Sequence, residues 1–476
     1  MKTKLRQLLS RPDGNLLINV SRFGLLSALC LAVTLAALTF SPRASAASLH
    51  VNPDGVCGGN SPCFTTIQAA INAAAPGDTI NVAAGTYAEQ INVNKALTLL
   101  GPNANINPNT GTRVAEAVII PTASDPLNPS FAGPIVVSFT ASGVTFRGFT
   151  VDGDNPALTS GVIFNGSDVD SEFGIYGDGS ANLDAVIENN VVKNVGEIAV
   201  WLNTFGIGGA RNANSRMNAN KVDNVLGAFG QALRISDDAW ADVTNNVVTR
   251  SRVGIVIENF SGNVTTHPAS VIADNNVTAF RIGIRHNLHY VYGAPGFTIT
   301  RNNVQSYVQS VLPPQVTQAT AYQGIRVESI QQTVAVTVSD NEVDGNRAAL
   351  QGAGYTRVEG LNVTNSSATS PNILFRGNFV TDNIRGVFHD TPAVPTFTCN
   401  NVKGNLTGIL ASSAATSGLL FKAGGPWPPG FDGNVDALTI NHGVGLIKYD
   451  FDNAPAINRV PGAMMTLPVD ASQFDM

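Results

Sequence analysis

Eight times between Glu188 and Lys403 an asparagine stands just ahead of a strand-like run: ENNVV, NANKV, TNNVV, DNNVT, RNNVQ, SDNEV, RGNFV and CNNVK. The anchors of this alignment are Asn190, Asn220, Asn246, Asn276, Asn303, Asn341, Asn378 and Asn401. Six to ten residues after most of them comes a second run, EIAVW, ALRIS, GIVIE, GIRHN, GIRVE, GVFHD or GILAS. Self-similarity at periods of roughly 20–50 residues restricts a chain to solenoids, propellers or arrays. Each unit here has short strands, no helix and an asparagine at a fixed turn. A propeller blade needs longer, regular antiparallel strands. The pattern therefore predicts an all-β parallel β-helix, a single-stranded solenoid in which asparagine amides stack from coil to coil. The longer intervals hold SVLPPQVTQATAYQ and GYTRVEGLNVTNSSATSPN, expected to be loops leaving the coil.

Composition agrees. Charged residues are 13% of the chain, against a usual share of about 25%. Gly, Asn, Val and Ile recur, which favours short β-branched strands cut by turns. A net charge of -6 argues against a nucleic-acid partner, which needs a basic face. Lys2, Lys4, Arg6, Arg11 and Arg22 precede the apolar run Phe23–Phe40, and Ala44-Ser45-Ala46 is an A-x-A cleavage signal. Residues 1–46 are expected to be a signal peptide, which implies a secreted, cell-surface or periplasmic protein. An uncleaved anchor is the alternative, and it is the one way this chain would meet a membrane. Cys57 and Cys63, in CGGNSPC, are expected to close a small disulfide loop.

Ile67, Ala70, Ile71 and Ala74 share one helical face. They predict a short amphipathic helix begun at Thr65 or Thr66 and stopped by Pro76-Gly77-Asp78. A lone helix ahead of a strand series reads as a lid over an open strand end. Residues 47–100 then form an N-terminal cap, 101–440 the repeats with their insertions, and 441–476 a C-terminal cap or tail. The entrance TIQAAINAAAPGDTINVAAGTYAEQINVNKALTLLG, with the NNV…GI repeats behind it, resembles the pectin-lyase-like, right-handed parallel β-helix superfamily. That resemblance covers roughly Thr65 to Leu410. It implies a fold and leaves activity open, because the superfamily holds lyases, hydrolases, esterases, epimerases and non-enzymatic surface proteins.

Strand alternation assigns the faces. Ile255, Ile257, Ile325 and Val327 point inward; Val256, Glu258, Arg326 and Glu328 point outward. Carried across the repeats, this gives one outward column of Tyr176, Ala199, Arg234, Val256, Arg285, Arg326 and Phe388. The second column is Asp178, Trp201, Ser236, Glu258, Asn287, Glu328 and Asp390. His286 and His389 fall on inward positions. With coils about 4.8 Å apart, Arg285 and Arg326 become neighbours that repel unless Glu258, Glu328 or a bound anion lies between them. Arginine forks suit carboxylates and aromatic faces suit sugar rings. The columns thus outline a track for an acidic polysaccharide or surface glycan, built from Tyr176, Trp201, Arg234, Glu258, Arg285, Arg326, Glu328 and Asp390. The plain alternative is a solvated, salt-bridged sheet face.

The chemistries of the superfamily find little support. Asp237-Asp238 matches half of a polygalacturonase-like set, but its Gly-His-Gly partner would have to be His442, far too distant along the chain. The Arg-x-Pro-x-x-Arg stretch of pectate lyases, the pectin methylesterase segments and the alginate epimerase Asp-Pro-His triplet are absent. A lyase remains chemically possible, with Arg285 or Arg326 neutralising a uronate carboxylate and His289 or Tyr290, at the strand end, as base. No cofactor motif is evident, and calcium is left open. The competing class is a non-catalytic surface or adhesion β-helix.

Overall fold

A computed structural model of the chain describes residues 46–178, 184–204, 215–237, 239, 241–259, 270–288, 297–329, 335–364, 373–390, 395–398, 400–411, 420–422, 436–440, 448–450 and 465–467. The N-terminal segment 1–45, Asp238, His289, Tyr290, Tyr292, Cys399 and His442 lie outside them. Among the described residues, no helix is long and apolar enough to cross a membrane.

The chain is a parallel β-helix. Each complete coil runs through three strands. The first face includes Val144–Arg147, Ala185–Glu188, Arg216–Asn218, Asp242–Thr244, Ser270–Ala273 and Phe297–Thr300, stacked in a 15-stranded sheet. A tight turn leads to the second face, which includes Val191–Val195 and Lys221–Val225. A corner then leads to the third, which includes Phe173–Asp178, Ile198–Thr204, Gln231–Asp237 and Arg357–Thr364. In two coils, Val247–Asn259 and Asn276–Leu288, one strand runs round that corner unbroken. Each strand pairs in parallel with its counterpart one coil on, as in Val186↔Arg216 and Arg216↔Asp242.

The turn between the first two faces explains the repeat. A residue at positive φ comes first: Asn189, Ala219, Asn245, Asp274, Arg301, Asp340 and Gly377. The next residue is a buried asparagine, and two positions later a valine points into the core. Val192, Val222, Val248, Val277, Val304, Val343, Val380 and Val402 all have zero exposure. The asparagines form one ladder. Asn220 Nδ2 donates to Ile187 O at 2.9 Å and to Asn246 Oδ1 at 3.1 Å, and Asn246 Oδ1 also accepts the Asn220 amide at 2.9 Å. Asn190, Asn220, Asn246, Asn275, Asn302, Asn341, Asn378 and Asn400 continue this from coil to coil. Three anchors of the sequence alignment are corrected by one residue. The rung is Asn275, not Asn276; Asn302, not Asn303; Asn400, not Asn401. The spacing to the inward valine defines the rung, whereas the alignment had taken the asparagine that touches the valine.

The entrance is capped by the helix Ile67–Ala73, begun by Thr66, whose Oγ1 accepts from the Ala69 amide at 3.3 Å. Its Ile67, Ala70 and Ile71 are buried. Both helix ends are satisfied from the connections between the strands that follow. The Glu89 carboxylate accepts the Ile67 and Gln68 amides at 2.9 and 3.0 Å, and Lys95 Nζ donates to the carbonyls of Ile71, Asn72 and Ala74. Such charges at the ends that need them are what the orphan groups and the helix dipole favour. Cys57 and Cys63 are joined, with Cα atoms 5.8 Å apart.

Two insertions differ from the expected loops. GYTRVEGLNVT is not a loop: Arg357–Thr364 is a full strand of the third face, inserted between the strands that carry Arg326 and Phe388. The irregular stretch at Gly345-Asn346-Arg347 opens a short helix, Arg347–Gly352. That helix packs with the insertion at 307–320 and the excursion at 155–170. Val162, Phe164, Phe280, Tyr322, Leu350 and Tyr355 form this satellite core outside the coil, and it walls one side of the third face.

Candidate functional site

The third face carries nearly every residue singled out for function, and register places each of them. One outward column runs Ser138, Tyr176, Trp201, Arg234, Val256, Arg285, Arg326, Asn362, Phe388. The neighbouring column runs Asp178, Asn203, Ser236, Glu258, Asn287, Glu328, Thr364, Asp390. Trp201 therefore moves from the second column to the first, and Ala199 leaves the surface altogether, with zero exposure. Aligning the Ile of EIAVW with the Ile of GIVIE caused that slip of two residues. Ala199 belongs with Gly174, Ala232, Gly254, Gly283, Gly324 and Gly360 at the corner, where only small residues fit. A Cβ on Gly283 would come within 2.1 Å of Val304 Cγ1 and 2.6 Å of Gly324 O.

Arg285 and Arg326 lie side by side, and carboxylates separate the like charges as electrostatics requires. Glu258 accepts from Arg234 at 3.1 Å and from Arg285 at 3.3 Å. Glu328 accepts from Arg285 at 3.0 Å and from Arg326 at 2.5 Å. Both carboxylates are buried beneath the guanidinium groups, at 6% and 3% exposure. Glu359, wholly buried, gathers Arg357 and Arg385 in the same way, at 3.0 and 2.8 Å. Sequence reasoning missed this knot because it took the strand for a loop. Phe388 lies under both of its arginines.

Toward the N-terminus the charges give way to rings. Arg234 Cζ stands 4.5 Å over Trp201, whose Nε1 donates to Ser236 Oγ at 2.7 Å. Tyr176 and Trp201 have ring centroids 4.7 Å apart, and Phe173 stands 5.9 and 5.7 Å from them. Phe131 and Phe229, both exposed, meet edge to face at 5.0 Å and extend the cluster through Phe173. Beyond it an open pocket of about 530 Å³ is lined by Gln90, Asn92, Asp125, Gly133 and Ser138, among others.

Two carboxyls under these rings gave no signal in the sequence reading, although Glu172-Phe173-Gly174 and Glu197-Ile198-Ala199 are equivalent positions of adjacent coils. Glu172 accepts the Gly133 amide at 2.5 Å and Glu197 the Phe229 amide at 2.6 Å, so they fasten the segments bearing Phe131 and Phe229. Burial pushes both carboxyls up to about 7, and the Glu172 charge adds to the rise at Glu197.

His286 is wholly buried against Phe297, ring centroids 5.0 Å apart, and burial pushes it down to about 4. It is a core residue, as its strand parity required. His389 is also fully buried. Asp390 ends the second column, and Asp237 sits at a strand end with φ +56°. Among the described residues, no group of three or more His, Cys, Asp or Glu is placed to hold a metal ion.

Fold and site together define a parallel β-helix with an aromatic and charged strip along one face. The family described as "Protein of unknown function (DUF1565)" matches residues 52–264, from the cap through the coils that carry Tyr176, Trp201, Arg234 and Glu258. Arg285, Arg326 and Glu328 lie beyond that span. No curated protein matches the chain.

Proposed function

We propose that this chain is an exported, pectin-lyase-like β-helix protein that binds an acidic polysaccharide along its third face. The observation that carries the reading is the single row Tyr176, Trp201, Arg234, then Arg285 and Arg326, in which stacked rings pass directly into a cationic strip. Rings offer sugar faces a platform and guanidinium forks suit uronate carboxylates. The support for export, to the outside of the cell, the periplasm or the cell surface, is the N-terminal basic run, apolar stretch and A-x-A signal. No cofactor enters the reading.

Binding without turnover is favoured over elimination. The oxygens of Glu258 and Glu328 already accept from two arginines each, so neither is a vacant base for the sugar. For a lyase, the candidate bases are His289 and Tyr290. The purified mature protein is tested by affinity electrophoresis in polygalacturonate and by ultraviolet absorbance of unsaturated ends, with and without calcium. Retention without absorbance is expected, and Trp201→Ala should weaken retention about fivefold, the worth of roughly 1 kcal/mol of ring contact. A mobility indifferent to every uronate polymer would sink the binding reading. Unsaturated ends that vanish in Tyr290→Phe would turn it into a lyase.

A further inference from the structure

The strip obeys one rule: every arginine in it has a carboxylate in contact. Arg252 and Arg281 break it. Val253 pairs with Ile282, and just before that pair the register slips, so that Arg252 on one coil stands against both Phe280 and Arg281 on the next. Adjacent coils are about 4.8 Å apart, and equal charges at that spacing repel. Arg252 is buried, at 8% exposure. Its Nη1 donates to the Thr317 carbonyl at 3.0 Å, its guanidinium faces the Phe280 ring, and its Nε has no partner among the described residues. Arg281 is exposed and makes no hydrogen bond or ion pair among the described residues. No acidic group among the described residues offsets its charge. Its guanidinium is pushed below its usual range by burial of its surroundings and by the positive charges of Arg285 and Arg326. Arg252 is pushed down to about 10, by burial first and then by Arg281, with Glu197 acting the other way. Here, at the corner between the satellite wall and the strip, four arginines act on one another, and among the described residues the carboxylates in contact with them belong to the strip.

We propose that Arg281, backed by Arg252 and flanked by Arg285 and Arg326, is an oxyanion site that takes a carboxylate or sulfate ester of the bound polysaccharide. The inference rests on the polysaccharide reading for its ligand, and on the unpaired cations for its position. An anion there supplies the negative charge that Glu258 and Glu328 supply on the strip itself. An arginine fork accepts either oxyanion through paired N–H donors. Arg281 is the residue that meets the ligand; Arg252 is a positioning residue whose charge is held by the Thr317 carbonyl and the Phe280 ring.

The test compares wild type, Arg281→Lys and Arg281→Ala against polygalacturonate, dextran sulfate and uncharged dextran. A second arm measures the thermal midpoint in sodium sulfate and in sodium chloride at equal ionic strength. Arg281→Ala should weaken one or both charged polymers about tenfold, the loss of one charge-assisted contact, with Arg281→Lys in between and dextran unaffected. Whichever charged polymer responds identifies the anion as carboxylate or sulfate ester. Sulfate should raise the midpoint of wild type more than that of Arg281→Ala. Equal binding of the charged polymers by both proteins, together with equal sulfate effects, overturns the site. If no polymer binds but the sulfate difference is present, the oxyanion site stands and the polysaccharide reading falls.

Discussion

Replacing Asn275 and its neighbour Asn276 by alanine, one at a time, separates what the ladder does from what the sequence motif looks like. Asn275 is 1% exposed. Its Oδ1 accepts the Asn246 amide at 3.0 Å and Asn246 Nδ2 at 2.9 Å; its Nδ2 donates to Val243 O and to Asn302 Oδ1, each at 2.8 Å. Asn275→Ala deletes all of these in a site closed to water. It strips the Asn246 N–H and the Val243 carbonyl of their side-chain partners, at about 1–3 kcal/mol for each buried group, so the expected cost is about 2–6 kcal/mol. Asn276 is exposed. Its replacement should stay within about 0.5 kcal/mol. Urea unfolding gives the totals. Because a solenoid coil is coupled mainly to its neighbours, amide exchange should rise first in the coils of Asn246 and Asn302. If Asn276→Ala costs as much as Asn275→Ala, the assignment of the rung is wrong, and with it the argument that the valine spacing sets it.

Two further predictions concern pH and run in opposite directions. His286 lies near 4 in the fold and near 6.5 when unfolded, so its contribution is full above about pH 6.5 and is lost as pH falls toward 4. Unfolding free energy should drop by on the order of 3 kcal/mol across that window, and His286→Leu should remove most of the slope; a flat wild-type profile would refute the assignment. Glu197 is raised to about 7, so its contribution is full below the unfolded value near 4.5 and is lost as pH rises through 7. Glu197→Gln should therefore melt higher than wild type at about pH 8, by on the order of 2 kcal/mol, and converge with it near pH 5; no difference at about pH 8 would exclude a buried carboxyl favouring its neutral form.

The fold was legible because a solenoid repeats its instructions. The asparagine turns, the paired strands, the capping helix begun at Thr66 and the inward parity of His286 all follow from local pattern, and the structure has them. Errors arose where two residues of one type compete for one role. DNNVT and RNNVQ each present two asparagines, and only the distance to the buried valine tells them apart. EIAVW lacks the glycine that marks the corner in GIVIE, and Ala199 fills the same cramped position unnoticed. The strand Arg357–Thr364 was hidden because the helix Arg347–Gly352 delays it beyond the usual interval.

The site is less legible than the fold for a physical reason. In a β-helix each outward position is repeated at the spacing of a strand, so any charged type that recurs in register must be neutralised in register. Glu258, Glu328 and Glu359 do that for Arg234, Arg285, Arg326, Arg357 and Arg385. An arginine column is therefore expected from folding alone, and its existence says little about a ligand. What distinguishes a binding surface is departure from that balance. Tyr176 and Trp201 fill column positions with faces that sugars stack on, and Arg281 puts a cation where no carboxylate among the described residues meets it. GIRHN contains His286, which belongs to the core, and Arg285, which belongs to the balanced strip. Arg281, two residues before that stretch, carries a charge that no carboxylate among the described residues answers.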